Sequence, residues 1–354
     1  TTHPQIAKQL LDQSLATMVS KGAMPYQDWI CDQGHVWSAP VYARVSGNGC
    51  PDCNEIGKSK PEAELAEVLR TLLPACTVEE HVKGILPGRQ ELDLVVRGLS
   101  GHDLAVEYNG LFWHSEAMKK TTTYHRNKTR DAAAAGLRLL HVWEDDWKEC
   151  RVQVIRSIAH QTGSTDRLID VLGADFDATM SERLMARKLA VDVVEPAVAR
   201  AFLAANHVQG PVTASRYLGL HDKHNRVRAL VALRSPRNGA RQKRGPGEWE
   251  IVRYATLGVV AGGFTKLLAA AQKQMLAEGE KLTRWISFSD DAVADGGLYE
   301  TAGFVVDGKH RPDYQYVSAK GRWHREPKEK YQRARFRDDD DMLWDESWSE
   351  HQAA

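Results

Sequence analysis

Glu91-Leu92-Asp93-Leu94-Val95-Val96 and Leu104-Ala105-Val106-Glu107-Tyr108-Asn109-Gly110 are the two stretches whose reading decides the fold. Both are short apolar runs of strand-like composition, and they read as neighbours in a sheet. Each carries an acid within its apolar stretch. An unpaired buried charge costs several kcal/mol, so Asp93 and Glu107, where they meet across a strand pair, share a metal ion or a proton. Upstream, Ser59-Lys60-Pro61-Glu62-Ala63-Glu64 opens an amphipathic helix that can aim Glu64 at the same place. The plainer alternative is a pair of strand-end acids facing water.

A helix Glu, a strand Asp and a Glu on the next strand form the arrangement of the restriction-endonuclease-like nucleases of the PD-(D/E)XK superfamily, which the chain resembles here. The likeness narrows over Gly110-Leu111-Phe112-Trp113-His114, then Tyr124-His125-Arg126-Asn127-Lys128, then Gly136-Leu137-Arg138-Leu139-Leu140-His141-Val142-Trp143-Glu144. In that order, over about residues 59 to 150, the series resembles the very-short-patch-repair endonucleases and the phage homing endonucleases related to them. The resemblance implies a metal-dependent endonuclease that hydrolyses phosphodiester bonds in double-stranded DNA. It implies catalytic Mg²⁺, or Mn²⁺ in its place, on Asp93 and Glu107, polarising the phosphate, activating water and stabilising the leaving oxygen.

The family pattern has a lysine two residues after the strand Glu, where this sequence has Asn109, which does not exchange protons. His114, His125 and Lys128 are the candidates for handling the attacking water, histidine being the usual choice near neutral pH. Helical spacing puts His125 and Lys128 on one face, where Lys128 can also supply the charge of the missing lysine; the alternative is an ordinary solvated face. Trp113, by resemblance, packs or wedges against DNA. The candidate catalytic set is therefore Glu64, Asp93, Glu107, Asn109, His114, His125 and Lys128.

Cys31-x3-His35, fourteen residues, then Cys50-Pro51-Asp52-Cys53 gives two ligand pairs for one tetrahedral Zn²⁺. The surrounding segment has few large apolar side chains, so a structural zinc ion is expected to hold it together, and it resembles the zinc-ribbon modules that precede phage nuclease domains. Cysteines grouped in this way point to metal ligation in a reducing compartment. No apolar run approaches the roughly 20 residues of a membrane span and no signal-peptide pattern is present. A cytoplasmic protein without a membrane partner is expected, in the host-cell cytoplasm if phage-encoded.

Residues 183–337 hold 28 Lys and Arg against 15 Asp and Glu, whereas residues 338–354 hold none against 7, so the formal net charge of zero averages a basic region and an acidic tail. A basic domain of this size suits a polyanion. Its sharpest cluster, 234–244, offers Arg237, Arg241, Lys243 and Arg244 for phosphate contacts, with a second basic stretch around Trp323-His324-Arg325; the plainer reading is a solvated hairpin. Strands and helices alternate here, and Leu298-Tyr299-Glu300-Thr301-Ala302-Gly303-Phe304 resembles a turn of acetyltransferase-like folds. Val259-Val260-Ala261-Gly262-Gly263-Phe264-Thr265 has the glycines of their pyrophosphate loop without its leading Gln or Arg, so no small-molecule cofactor is expected.

The expected fold class is mixed α/β (α+β). The expected order is an N-terminal helix over 1–22, a zinc module over 23–58 with no regular element, a restriction-endonuclease-like mixed sheet flanked by helices over 59–165, a linker over 166–182, a basic acetyltransferase-like DNA-binding domain over 183–337, and the acidic tail. Two rival functions remain: an acetyltransferase with a degenerate nuclease domain, and a non-catalytic DNA-binding protein.

Overall fold

The structure is a computed structural model that describes residues 2–32, 34–46, 48–51, 59–88, 90–111, 123–236, 245–290, 292–294, 296–308, 315–318 and 324–327. Cys53, Trp113, His114, Arg237, Arg241, Lys243, Arg244, Trp323 and the acidic tail lie outside the described residues. Two compact units, Thr1–Leu65 and Ala66–Ala354, divide the chain.

In the first unit the helix expected over the N terminus is not continuous. Helix α1 (Pro4–Ala7) stops after one turn, its last carbonyls taken up by the Gln13 side-chain amide, and a 3-10 turn follows at Gln13–Thr17 under an Asp12 cap. Between them the chain leaves the helix to pair with strand β1 (Tyr26–Ile30): the Ile30 N–H donates to the Gln9 carbonyl and the Leu11 N–H to the Asp28 carbonyl, both at 2.8 Å. The helical spacing of Ile6, Leu10 and Leu15 is thus used for a core instead, around buried Leu10, Trp29 and Val41. The segment read as lacking regular structure forms a hairpin, β1 with β2 (Val36–Pro40), running straight into helix α2 (Val41–Val45). The Trp29 indole N–H donates to the Ala39 carbonyl at 2.8 Å, and the Arg44 guanidinium lies over Trp29 and Trp37. Helix α3 (Lys60–Leu72) spans the boundary between the units.

The second unit contains two main sheets. The first has the order β3 (Thr77–Lys83), β4 (Glu91–Arg97), β5 (Asp103–Asn109), β6 (Leu137–Trp143). The first three strands are antiparallel and β6 is parallel to β5, joined to it through helix α4 (Tyr124–Ala134). Helices α5 (Glu144–Glu149) and α6 (Arg151–Thr162) follow β6. The acidic stretch expected as a linker is folded: helix α7 (Leu168–Leu172) and short 3-10 turns bury Thr165, Leu168 and Thr179. It leads to β7 (Arg183–Met185).

The second sheet is built from β8 (Ala190–Val193), then, after helix α8 (Pro196–Asn206), β9 (Arg216–His221), β10 (Val227–Arg234) and β11 (Glu248–Thr256). Strand β12 (Val259–Ala261) pairs with β7, helix α9 (Gly263–Ala277) crosses over, and β13 (Arg284–Ser287) joins β11 in parallel. The order is β13-β11-β10-β9-β8. Strand β10 is apolar from Ala229 to Leu233 because both faces are covered there: Ala229, Val231 and Leu233 pack with α9, and Leu230 and Ala232 with α8. Helix α10 (Gly297–Thr301) ends in an exposed segment, where Val305 and Val306, although β-branched, lack ladder partners among the described residues. Strands β14 (Gln315–Ser318) and β15 (His324–Pro327) form the last hairpin. Among the described residues no helix is long and apolar enough to cross a membrane.

Arg228, almost wholly buried on β10, ties the folded acidic stretch to the sheet through Glu182 at 2.6 Å and the carbonyls of Thr179 and Leu257. Gly258, with φ +77°, passes so close that an added Cβ would meet the Thr179 and Glu182 carbonyl oxygens at 2.6 Å. Gly258→Ala is expected to lower stability in urea titration by about 2–4 kcal/mol, combining strain and overpacking. Gly279→Ala, with a similar φ and open surroundings, is expected to cost about 1 kcal/mol.

Candidate functional site

Strand alternation and register put Asp93, Val95, Ala105, Glu107, Asn109, Leu137, Leu139, His141 and Trp143 on one face of the first sheet. Helix α4 lies over that face, which is divided in two. Ala132 packs with Val95, Ala105, Leu137 and Leu139 in an apolar half. His125, Lys128 and Thr129 cover a polar half made by Asp93, Glu107, Asn109, His141 and Trp143.

The β4–β5 ladder ends at Leu94 opposite Val106, and the next pair in register is Asp93 with Glu107. There the carboxylates take over the backbone's hydrogen bonds. The Asp93 N–H donates to Glu107 Oε1 at 3.2 Å, and the Tyr108 N–H donates to Asp93 Oδ2 at 2.8 Å. Lys128 Nζ forms an ion pair with Glu107 Oε2, both side chains being about 95% buried or more. Burial raises the Asp93 carboxyl above its usual range, against the Tyr108 N–H and the Lys128 charge. Burial and then the negative charge of Asp93 push Glu107 up to about 7, against Lys128. Two acids with one ammonium leave a buried excess of negative charge that a proton or a metal cation relieves.

Asn109, which is wholly buried, has its amide Nδ2 3.1 Å from His141 Nδ1, and His141 Nε2 lies 2.9 Å from the Thr129 hydroxyl. The His125 ring packs against those of His141 and Trp143, with centroids 5.3 and 4.8 Å away. Arg325 of β15 covers Trp143 and pairs with Asp145 and Asp146 on α5. His125 and Lys128 therefore face the sheet, and the reading of them as a solvated helix face is overturned. Glu107 is buried and Asp93 half-buried where they meet across a strand pair, which removes the reading of water-facing strand ends. Glu64 is half-buried on α3 in the first unit. His141 and Thr129 were missed; the signal was a histidine inside the apolar run Leu139–Trp143, in register with Glu107 only once β6 is placed parallel to β5.

In the first unit the turn between β1 and β2 is a tight knuckle, the Gly34 N–H donating to the Cys31 carbonyl at 2.9 Å and Gly34 adopting φ +83°. His35 Nδ1 lies 3.6 Å from Cys31 Sγ and 3.8 Å from Cys50 Sγ, and the three ligand atoms lie within 4.8 Å of one another. The edges of a tetrahedron about Zn²⁺ are about 3.5–3.8 Å, so these three residues form a site that fits one zinc ion. Cys53, the fourth ligand expected from the spacing, lies outside the described residues.

In the second sheet the N terminus of α9, where an acetyltransferase would hold a pyrophosphate, is engaged by the chain itself. The Tyr254 hydroxyl accepts from the Phe264 N–H and sits where a Gly263 Cβ would lie 2.7 Å away. Lys266 Nζ donates to the Ala186 and Leu189 carbonyls at 2.9 and 2.6 Å.

Residues 7–56 match a family described as a probable treble clef zinc finger domain. The match takes in the N-terminal segment as well as the hairpin, in keeping with their common core. Among solved structures, a candidate acetyltransferase from Deinococcus radiodurans R1 is 16% identical, over 37% of this chain and 91% of that one, with a TM-score of 0.23. No curated protein matches the sequence.

One zinc ion per chain is expected by metal analysis, and Cys50→Ser should lose it and melt the first unit while leaving the second folded; zinc-free protein with an intact first unit would contradict the site. A carboxyl that binds its proton more tightly folded than unfolded makes stability fall as pH rises, here from 4.5 through about 7. Glu107→Gln should lessen that fall, as read by denaturant titrations at pH 5 and pH 8 without divalent metal.

Proposed function

We propose that this chain is a metal-dependent DNA endonuclease that hydrolyses phosphodiester bonds, nicking or cleaving at a site in the manner of the phage homing enzymes. The observation that carries the proposal is the buried Asp93–Glu107–Lys128 constellation at the open end of the β4–β5 ladder. Structural ion pairs are usually placed where water screens them. Here two acids whose protonation is favoured by burial sit on rigid strands with one lysine, an arrangement that costs stability and suits a cation. Hard carboxylate oxygens fit Mg²⁺, which when bound would supply a Lewis acid and a water of lowered pKa.

The protein's own contribution is orientation and charge. The Tyr108 N–H fixes the Asp93 carboxylate, and the Asp93 N–H with Lys128 fixes that of Glu107. Lys128 comes from α4, not from the strand position Asn109 occupies, and offers positive charge to a phosphate beside the acids. His125, on the same helix as Lys128 and packed against His141 and Trp143 of β6, is a candidate for moving a proton. A treble-clef-like module and the basic stretch 183–337 support nucleic acid as the partner. The acetyltransferase reading is disfavoured because the Tyr254 hydroxyl takes up the Phe264 N–H at the helix end that a pyrophosphate would need.

Asp93→Ala, Glu107→Ala and Lys128→Ala should each lower cleavage of duplex DNA at least about a hundredfold. Their affinity for the same duplex, followed by fluorescence anisotropy, should stay within about threefold of wild type, because the residues act on the reaction and not on the grip. Wild-type cleavage by Glu107→Ala would remove the assignment. Binding without cleavage by the wild type would favour a DNA-binding protein.

A further inference from the structure

Asn109 is fully buried, and its carbonyl oxygen Oδ1 has no hydrogen-bond partner. An orphaned buried acceptor costs about 1–3 kcal/mol, so its persistence calls for a reason. Its orientation is not arbitrary. The Thr129 hydroxyl donates its one proton to the His125 carbonyl at 3.0 Å, so toward His141 Nε2, 2.9 Å away, it can only accept. A neutral His141 therefore carries its proton on Nε2 and leaves Nδ1 as an acceptor. The Asn109 group facing Nδ1 at 3.1 Å must then be the NH₂, and the carbonyl oxygen is turned away from His141. A helix hydroxyl thus sets, through one imidazole, which end of the Asn109 amide is left over.

What is left over is a hard, neutral oxygen two residues beyond Glu107 and on the same strand face. Asp93 and Glu107 alone give a divalent cation two protein ligands. Among the described residues of the second unit no third Asp, Glu, His or Cys closes on them. A third carboxylate would add to the repulsion that already raises Glu107, whereas an amide carbonyl supplies an oxygen at no cost in charge.

We infer that Asn109 Oδ1 is a third protein ligand of the divalent cation at Asp93 and Glu107, with His141 and Thr129 as positioning residues that hold the carbonyl toward the ion. The inference rests on the metal-site reading of the two acids, and its test separates the two. Binding of Mn²⁺ to the zinc-loaded full chain without DNA is followed by electron paramagnetic resonance, with circular dichroism confirming that each variant is folded. Asn109→Ala should weaken Mn²⁺ binding about tenfold or more, Asn109→Asp should retain it, and His141→Ala should weaken it about tenfold although it touches no ion. Asp93→Ala should abolish it.

If Asp93→Ala abolishes binding while Asn109→Ala binds as the wild type does, the ligand role of Asn109 is overturned and the two-acid site stands. A wild type that binds no Mn²⁺ beyond its zinc overturns both. Should Asn109→Ala not fold, Asn109→Leu, which fills the volume and removes the orphaned oxygen, serves in its place. A folded Asn109→Leu with undiminished affinity likewise overturns the inference.

Discussion

The constraint on which the second unit's candidate site depends is the burial of two carboxylates at the point where a strand ladder gives out. Backbone pairing between β4 and β5 stops at Leu94 and Val106, and the N–H groups of Asp93 and Tyr108 are satisfied by acid side chains instead. The substitution keeps the backbone bonded while it locks both carboxylates in place. It also concentrates negative charge away from water, which Lys128 offsets in part. The surrounding structure follows from that demand. Helix α4 must run over the polar half of the face to deliver Lys128, and the parallel β6 must follow so that His141 stands beside Glu107. The apolar half of the same face, from Val95 to Leu139, fixes the helix at the angle this requires.

The first unit meets a different limit. Leu10, Trp29 and Val41 are its buried apolar centre, supported by a ring of partly buried neighbours. A core of that size carries little stability by itself. The knuckle at Cys31 and His35, closed by Cys50 after α2, lets a metal ion join the hairpin to the chain beyond the helix. The Arg44 guanidinium lies over two tryptophans of the hairpin.

How much of this was legible depends on where each signal lay. Asp93 and Glu107 stood out because an acid in an apolar strand has few explanations, and the Cys–His spacing because metal ligands come in short-range pairs. Strand β10 and helix α9 were legible from unbroken or periodic apolar sequence. Edge strands were not: β3 alternates Thr77, Glu79 and His81 with half-buried neighbours, and β8 is only four residues long, so neither has the apolar density of a central strand. The N-terminal segment misled because Ile6, Leu10 and Leu15 have helical spacing, while Leu10 and Leu11 are claimed by pairing with β1, a contact no local window contains. The Asn109–His141–Thr129 relay was hidden for the same reason: its members lie on two strands and a helix and meet only through the parallel crossover. Val305 and Val306 show the opposite failure, strand propensity without a strand to join.

The central claim is that the buried acid pair performs metal-dependent hydrolysis of DNA. Its most direct test is to incubate the zinc-loaded full chain with supercoiled plasmid, with Mg²⁺ and with Mg²⁺ removed by citrate at a level that leaves the zinc in place. The account predicts nicked or linear product that depends on Mg²⁺ and whose mapped ends recur at defined positions. Plasmid left supercoiled by folded, zinc-loaded protein across Mg²⁺ and Mn²⁺ concentrations would contradict it.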